Sequence, residues 1–191
     1  MKKFFWSLLG IVTACSIHAA PVISWNSQNN FKGWHMPYRC EMKISNSTLK
    51  LDITGHDSSI RNNSVQIPTD KYDAIEIDYR AEGLPAVNNG EIYYAGEGKY
   101  DSFTQSRAWT FQNIPGNTDW YTLRVTPGGK GGQAWLDTKL VTKIRLDLFN
   151  QFPGKVEIRE IRIMPKLRLD LVNNAPGKIE IREIRFTKSA N

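Results

Sequence analysis

Apolar and polar residues alternate along most of this chain. Between Trp25 and Lys188 no apolar pattern is sustained at helical spacing, and short alternating runs separated by turn residues recur instead. Candidate strands run from Met42 to Ile44, Leu49 to Thr54, Ser64 to Ile67, Ala74 to Arg80, Glu91 to Ala95, Gln105 to Phe111, Trp120 to Val125, Lys143 to Phe149 and Lys155 to Ile163. In the fourth, Ile75, Ile77 and Tyr79 fall on one face and Glu76, Asp78 and Arg80 on the other, which is the signature of a half-wet antiparallel strand. The pattern predicts an all-β, antiparallel two-sheet β-sandwich. Asn46-Ser47, Asn62-Asn63, Asn88-Asn89-Gly90 and Pro115-Gly116-Asn117 read as turns. The run Pro127-Gly128-Gly129-Lys130-Gly131-Gly132 reads as a flexible surface loop, because it lacks the Gly-Lys-Ser/Thr ending of a phosphate cradle.

The end of the chain repeats itself. Residues 144 to 164 and 167 to 187 share a first strand (Ile144, Leu146, Leu148; Leu167, Leu169, Leu171), a Pro-Gly turn and a second strand. In that second strand Val156 and Ile158 alternate, then the apolar phase slips by one across Arg159-Glu160 to Ile161 and Ile163. Such a slip predicts a β-bulge, and the second copy repeats it at Arg182-Glu183. Two copies are too few for a solenoid, so the second reads as a tandem duplication appended to the sandwich. Burying each apolar side chain of that copy is worth about 1.5 to 3 kcal/mol, so it has to extend a sheet, cross to the facing one, or swap with a second molecule as a dimer. The linker Met164-Pro165-Lys166 is too short to return it along the preceding strand. The domain reading is therefore an export signal over residues 1–20, a sandwich over 21–165 and the extra hairpin over 166–191.

The first segment has Lys2 and Lys3, an apolar stretch from Phe4 to Ala14 and small residues at Ser16, Ala19 and Ala20, the three-part pattern of an export signal. Two cleavage readings stay open. Val12-Thr13-Ala14-Cys15 matches a lipobox, which would lipidate Cys15 and anchor the chain at the outer membrane; cleavage after Ala19 would release it to the periplasm or beyond. Membrane contact is expected only through that lipid anchor. Loss of the signal lowers the formal charge from +6 to +4, and the remaining bases alternate with acids along the strands, which argues against nucleic-acid binding. Cys40 is then the remaining thiol, expected to serve as a small buried apolar residue.

Chemistry in the remaining residues is sparse. His35 and His56 stand in loop-like contexts with no second ligand pair at zinc spacing, and neither Gly-x-Ser-x-Gly nor His-Glu-x-x-His occurs. No catalytic residue, metal ligand or cofactor site is assigned, and the protein is not expected to be an enzyme. The aromatics are more informative. Sugar rings stack their C–H faces on indole and phenol rings, while neighbouring Arg, Asp, Asn or Gln bond the hydroxyls. Along Gln105 to Phe111, alternation puts Gln105, Arg107, Trp109 and Phe111 on one face, with Tyr93 or Tyr94 beside it on the neighbouring strand. The candidate ligand site is thus Tyr93, Tyr94, Arg107 and Trp109, each ring also being a natural core filler.

Trp25 with Gly33-Trp34, Thr54-Gly-His-Asp-Ser-Ser-Ile60, Tyr72-Asp-Ala-Ile-Glu-Ile-Asp-Tyr-Arg80, Gly90-Glu-Ile-Tyr-Tyr94, Trp120-Tyr-Thr122, Ile144-Arg-Leu-Asp147 and Gly154-Lys-Val-Glu-Ile158 come in an order that carries a resemblance. Over about residues 24 to 164 the chain resembles the galactose-binding-like β-sandwich modules of bacterial exported proteins. That resemblance implies an eight-stranded jelly roll that binds polysaccharide or oligosaccharide without catalysis, sometimes with a structural calcium, for which no ligand transfers to a residue here. Two alternatives stand beside it: an envelope adaptor acting through protein contacts of the extra hairpin, and a small polysaccharide-cleaving enzyme.

Overall fold

The structure is a computed structural model that describes residues 22–24, 33–85, 87–116, 118–127, 129–149 and 153–166. The expected export signal with Cys15, the early Trp25 and the expected second hairpin lie outside the described residues, as do the swap, anchoring and linker-path expectations attached to them. Alternation along β7 (Tyr72–Glu82) has the expected result: Ile75, Ile77 and Tyr79 are buried, and Arg80 and Glu76 remain partly exposed. β7 is the spine of one sheet. It pairs on one side with β10 (Tyr121–Val125) and on the other with β13 (Gly154–Pro165), which continues to β4 (Thr48–Ile53) and β3 (Cys40–Ser45). β1 (Val22–Ser24) pairs with the far half of β13 to complete six strands.

The facing sheet has five strands in the order β2 (Trp34–Tyr38), β5 (Ser59–Asn62), β12 (Lys143–Asp147), β8 (Val87–Ala95) and β9 (Ala108–Pro115). Every pairing is antiparallel, and a two-residue ladder of β6 (Ile67–Pro68) with β11 (Leu140–Val141) ties one end. The β-sandwich is the expected architecture, with six and five strands among the described residues where the resemblance implies eight in all. Between the sheets Ile75, Ile77, Ile158, Ile161 and Ile163 meet Ile60, Ile92, Ile144 and Leu146. Each contributes on the order of 1.5 to 3 kcal/mol by leaving water.

The expected bulge is present. Ile158 pairs with Tyr79 and Glu160 with Asp78, leaving Arg159 as the extra residue of β13. The slip turns Arg159 outward and keeps both Ile158 and Ile161 in the core. Cys40 is buried as expected: its thiol donates to the Ser59 carbonyl at 3.6 Å, and burial pushes it up to about 11.

Three local expectations are corrected. The glycine-rich run is not a loop throughout, because α1 (Gly129–Thr138) begins inside it. Glycine disfavours helix by roughly 1 kcal/mol per residue, so tertiary packing has to supply the difference. Trp135 does so, since its buried ring donates Nε1–H to the Tyr72 carbonyl at 2.8 Å. The Asn88-Asn89-Gly90 turn is instead part of β8, where the register with β9 shifts between Asn88 and Gly90. A Cβ at Gly90 would stand 2.5 Å from the Leu148 carbonyl oxygen and 2.5 Å from the Phe111 ring, so only glycine admits that approach. Gln105–Arg107 forms a 3-10 turn, and the strand begins after it at Ala108. Among the described residues no helix is long and apolar enough to cross a membrane.

Candidate functional site

Alternation places Tyr93 and Tyr94 of β8 on opposite faces, and register decides which is inside. Ile92 pairs with Trp109 and Tyr93 with Ala108, so Tyr94 and Trp109 point between the sheets. There they meet Trp135, with ring centroids 5.0 Å from Tyr94 and 4.5 Å from Trp109. Both rings are buried, which corrects the expectation that Tyr94 and Trp109 stack on a sugar. They build the core under the sheet because the face shared by Arg107, Trp109 and Phe111 is the inward one, with Gln105 alone turned to solvent in the 3-10 turn before the strand. Arg107 is likewise buried: its guanidinium donates to the Ser102 carbonyl and hydroxyl and lies 5.7 Å from the Tyr100 centroid, pinning the loop. Of the four expected residues, Tyr93 reaches the solvent side.

Tyr93 stands in a row that crosses four strands. His35 of β2 pairs with Arg61 of β5, Arg61 with Arg145 of β12, and Arg145 with Tyr93. Direct opposition puts all four side chains on one face. The next row sets Asp147 opposite Glu91, and Glu91 opposite Thr110. Sequence reasoning missed Arg61, Arg145, Asp147 and Glu91 as a group. The Ile144-Arg-Leu-Asp147 alternation already turned Arg145 and Asp147 toward water, but nothing local says which strands flank them.

These side chains are held in place. The Tyr93 hydroxyl donates to Glu91 and lies 2.9 Å from Gln105 Oε1, and Gln105 Nε2 donates to the other Glu91 oxygen at 2.9 Å. Burial and the Glu91 contact push the Tyr93 phenol well above its ordinary value, so it stays protonated and a donor. Arg145 binds Asp147 through two nitrogens, Nε at 2.8 Å, and its guanidinium lies 5.0 Å from the Tyr93 centroid. Asp147 is only 1% exposed, and burial pushes its carboxyl up to about 7 against the opposing pull of Arg145. The His35 ring is held at both nitrogens, Nδ1 2.6 Å from the Gly33 carbonyl oxygen and Nε2 3.1 Å from Asn63 Nδ2. The loop from Asp101 to Arg107 runs over the end of this face, where Asp101 pairs with Lys143 and the Phe103 ring centroid lies 5.7 Å from Arg61.

The opposite, six-stranded face is different. Arg124 and Arg162 bind Glu76 at 2.8 and 3.1 Å, Arg162 and Arg159 bind Asp78 at 3.1 and 3.3 Å, and Lys50 and Arg80 bind Glu157 at 2.9 and 2.8 Å. Burial opposes ionisation of Asp78 and Glu157, but hydrogen bonds from Arg162 and Thr122, and from Lys50 and Arg80, outweigh it and lower both. Trp120 lies against two of these bases, with Arg159 4.5 Å and Arg80 5.1 Å from its rings. Among the described residues no group of three or more His, Cys, Asp or Glu is placed to hold a metal ion.

No family model matches the chain, and no curated protein matches its sequence. Solved structures do match its fold. The low affinity xylan binding module CBM86 from the xylanolytic gut symbiont Roseburia intestinalis superposes with a TM-score of 0.51 at 10% identity, over 78% of this chain and 97% of that one. A family 29 carbohydrate binding module superposes with a TM-score of 0.47 at 10% identity, over 75% of this chain and 88% of that one. The first likeness establishes the fold class: this chain folds as a β-sandwich of the kind seen in carbohydrate-binding modules.

Proposed function

We propose that this protein is an exported, non-catalytic carbohydrate-binding module that lays a polysaccharide or oligosaccharide along the solvent face of its five-stranded sheet. The observation that carries this reading is Tyr93, an aromatic side chain on that face whose hydroxyl, ring and neighbours are all fixed. A sugar ring that lays its C–H face on an oriented aromatic ring takes that apolar area out of water. Preorganisation adds to this, because Glu91, Gln105 and Arg145 lose little rotamer freedom on binding. Beyond their own partners, the Arg145 guanidinium and the Glu91 carboxylate keep further donor and acceptor positions for sugar hydroxyls. Export is supported by the pattern of Lys2, Lys3 and the apolar run from Phe4 to Ala14.

The test is a glycan microarray followed by affinity electrophoresis on the polysaccharides it identifies. Tyr93→Ala is expected to weaken binding at least about tenfold, equivalent to ~1.4 kcal/mol, while Trp120→Ala on the other sheet leaves it unchanged. Deleting residues 166 to 191 leaves sugar binding in place in this reading, whereas an adaptor acting through the extra hairpin would lose its partner. Absence of binding to every glycan, or binding indifferent to Tyr93, sinks the proposal.

A further inference from the structure

We infer that the five-stranded face selects a sugar chain bearing an anionic group, a carboxylate of the uronic-acid kind, and that Arg61 is the residue that receives it. The inference rests on the proposed glycan face and deepens it. Arg61 and Arg145 are directly opposite one another on β5 and β12. Opposed Cβ atoms in such a pair lie roughly 4.5 to 5.5 Å apart, and like charges at that spacing repel.

Among the described residues, the acids of this face pair with Lys143 and Arg145 but not with Arg61. Arg145 has Asp147 in a two-nitrogen contact and Asp57 at 3.5 Å, and Lys143 has Asp101. Glu91 is occupied by Tyr93 and Gln105. Arg61 has no ion pair and no hydrogen-bond acceptor among the described residues, and its Nε is buried without a partner. His35, on its other side, is held by Gly33 and Asn63 and is not an acid.

A guanidinium carries five N–H donors and does not lose its proton, so relief by deprotonation is closed to it. Burying the Nε–H without an acceptor is unfavourable, and an acceptor arriving at the guanidinium's outer nitrogens would supply the countercharge that the fold does not. The planar carboxylate matches two parallel guanidinium donors, and such charge-assisted pairs are about twice as strong as neutral ones. The Phe103 ring on one side and Tyr93 beyond Arg145 supply the apolar surfaces against which the sugar carrying that carboxylate would rest. A sulfate ester offers the same negative charge in tetrahedral form, so it belongs in the test.

The full chain is titrated with a polyuronate, with the same polymer after carboxyl reduction, and with a sulfated polymer of the reduced backbone. Wild type is expected to favour the polyuronate over its reduced form by about tenfold or more, the margin shrinking as salt rises. Arg61→Met, which keeps the aliphatic stem, should bring polyuronate affinity down to that of the reduced polymer. Arg61→Lys keeps the charge and loses the fork, so it should retain part of the preference, a comparison that holds even if Arg61→Met folds poorly. Equal binding of both polymers by wild type, or a preference that survives Arg61→Met, overturns the inference while the glycan face stands. Preference for the sulfated polymer over the polyuronate overturns the carboxylate assignment. Failure to bind any of the three, with none found on the array, brings down the glycan reading as well.

Discussion

The two solvent faces of the sandwich are both crowded with charge and are built in opposite ways. On the six-stranded face, acids and bases from neighbouring strands interlock, Glu76, Asp78 and Glu157 each meeting two or more bases. On the five-stranded face, one acid is buried, one tyrosine hydroxyl is held between Glu91 and Gln105, and one arginine has no acid among the described residues. A self-neutralised ladder has little left to offer a ligand. An incompletely matched set of groups, rigidly held, does. The difference teaches that charge density on a β-sandwich says little about function until its pairing is known.

The largest way to break the comparison is to remove what lies beneath the binding face. Trp109→Ala should cost about 3 to 5 kcal/mol, because it leaves a cavity between Tyr94 and Trp135. Chemical denaturation would show the loss, and a stability change below 1 kcal/mol would contradict a core role for that ring.

Titration separates the faces by sign. Asp147 is raised from 3.8 to about 7, so the folded state binds the extra proton between those values and this group's contribution falls as pH climbs through that window. The change is at most about 4 kcal/mol over that range. Asp78 and Glu157 are lowered, so their contribution is present at neutral pH and is lost as pH falls through and below the ordinary carboxylate range. Melting temperatures from pH 4 to 8 should decline less steeply toward pH 8 in Asp147→Asn than in wild type. A Glu157→Gln variant should instead flatten the acid limb.

Gly90→Ala is expected to destabilise by about 1 to 3 kcal/mol, since the added methyl meets backbone on β12's side and the Phe111 ring. It should also disturb the neighbouring Glu91, readable as weaker glycan binding in whatever fraction folds. Smallest is Trp120→Ala, which removes two cation–π contacts at a partly exposed site and should cost about 1 kcal/mol or less, with no change in ligand affinity.

Much of the fold was legible because it is local. The apolar face of Tyr72–Glu82 and the slip at Arg159 follow from a side-chain period of two, which any reader of the chain can count. The site was less legible. Tyr93 was among the expected residues and does face solvent, but Trp109, Tyr94 and Arg107 turn inward. One short turn at Gln105–Arg107 shifted the strand start, and a helix from Gly129 brought Trp135 to close over the rings. Neither event leaves a periodic trace. The three glycines of that helix even argue against it, and packing of Trp135 overrides them.

The sequence by itself determined the class of architecture, the inward side of its long strands and the bulge in the last of them, because alternation between apolar and polar residues is a local property. Strand pairing alone sets Arg61, Arg145 and Tyr93 abreast and leaves Arg61 without an acid among the described residues. Those residues come from β5, β12 and β8, and their alignment depends on cross-strand register between segments far apart in the chain. Register is set jointly by the buried faces of both sheets, which no single stretch of residues records.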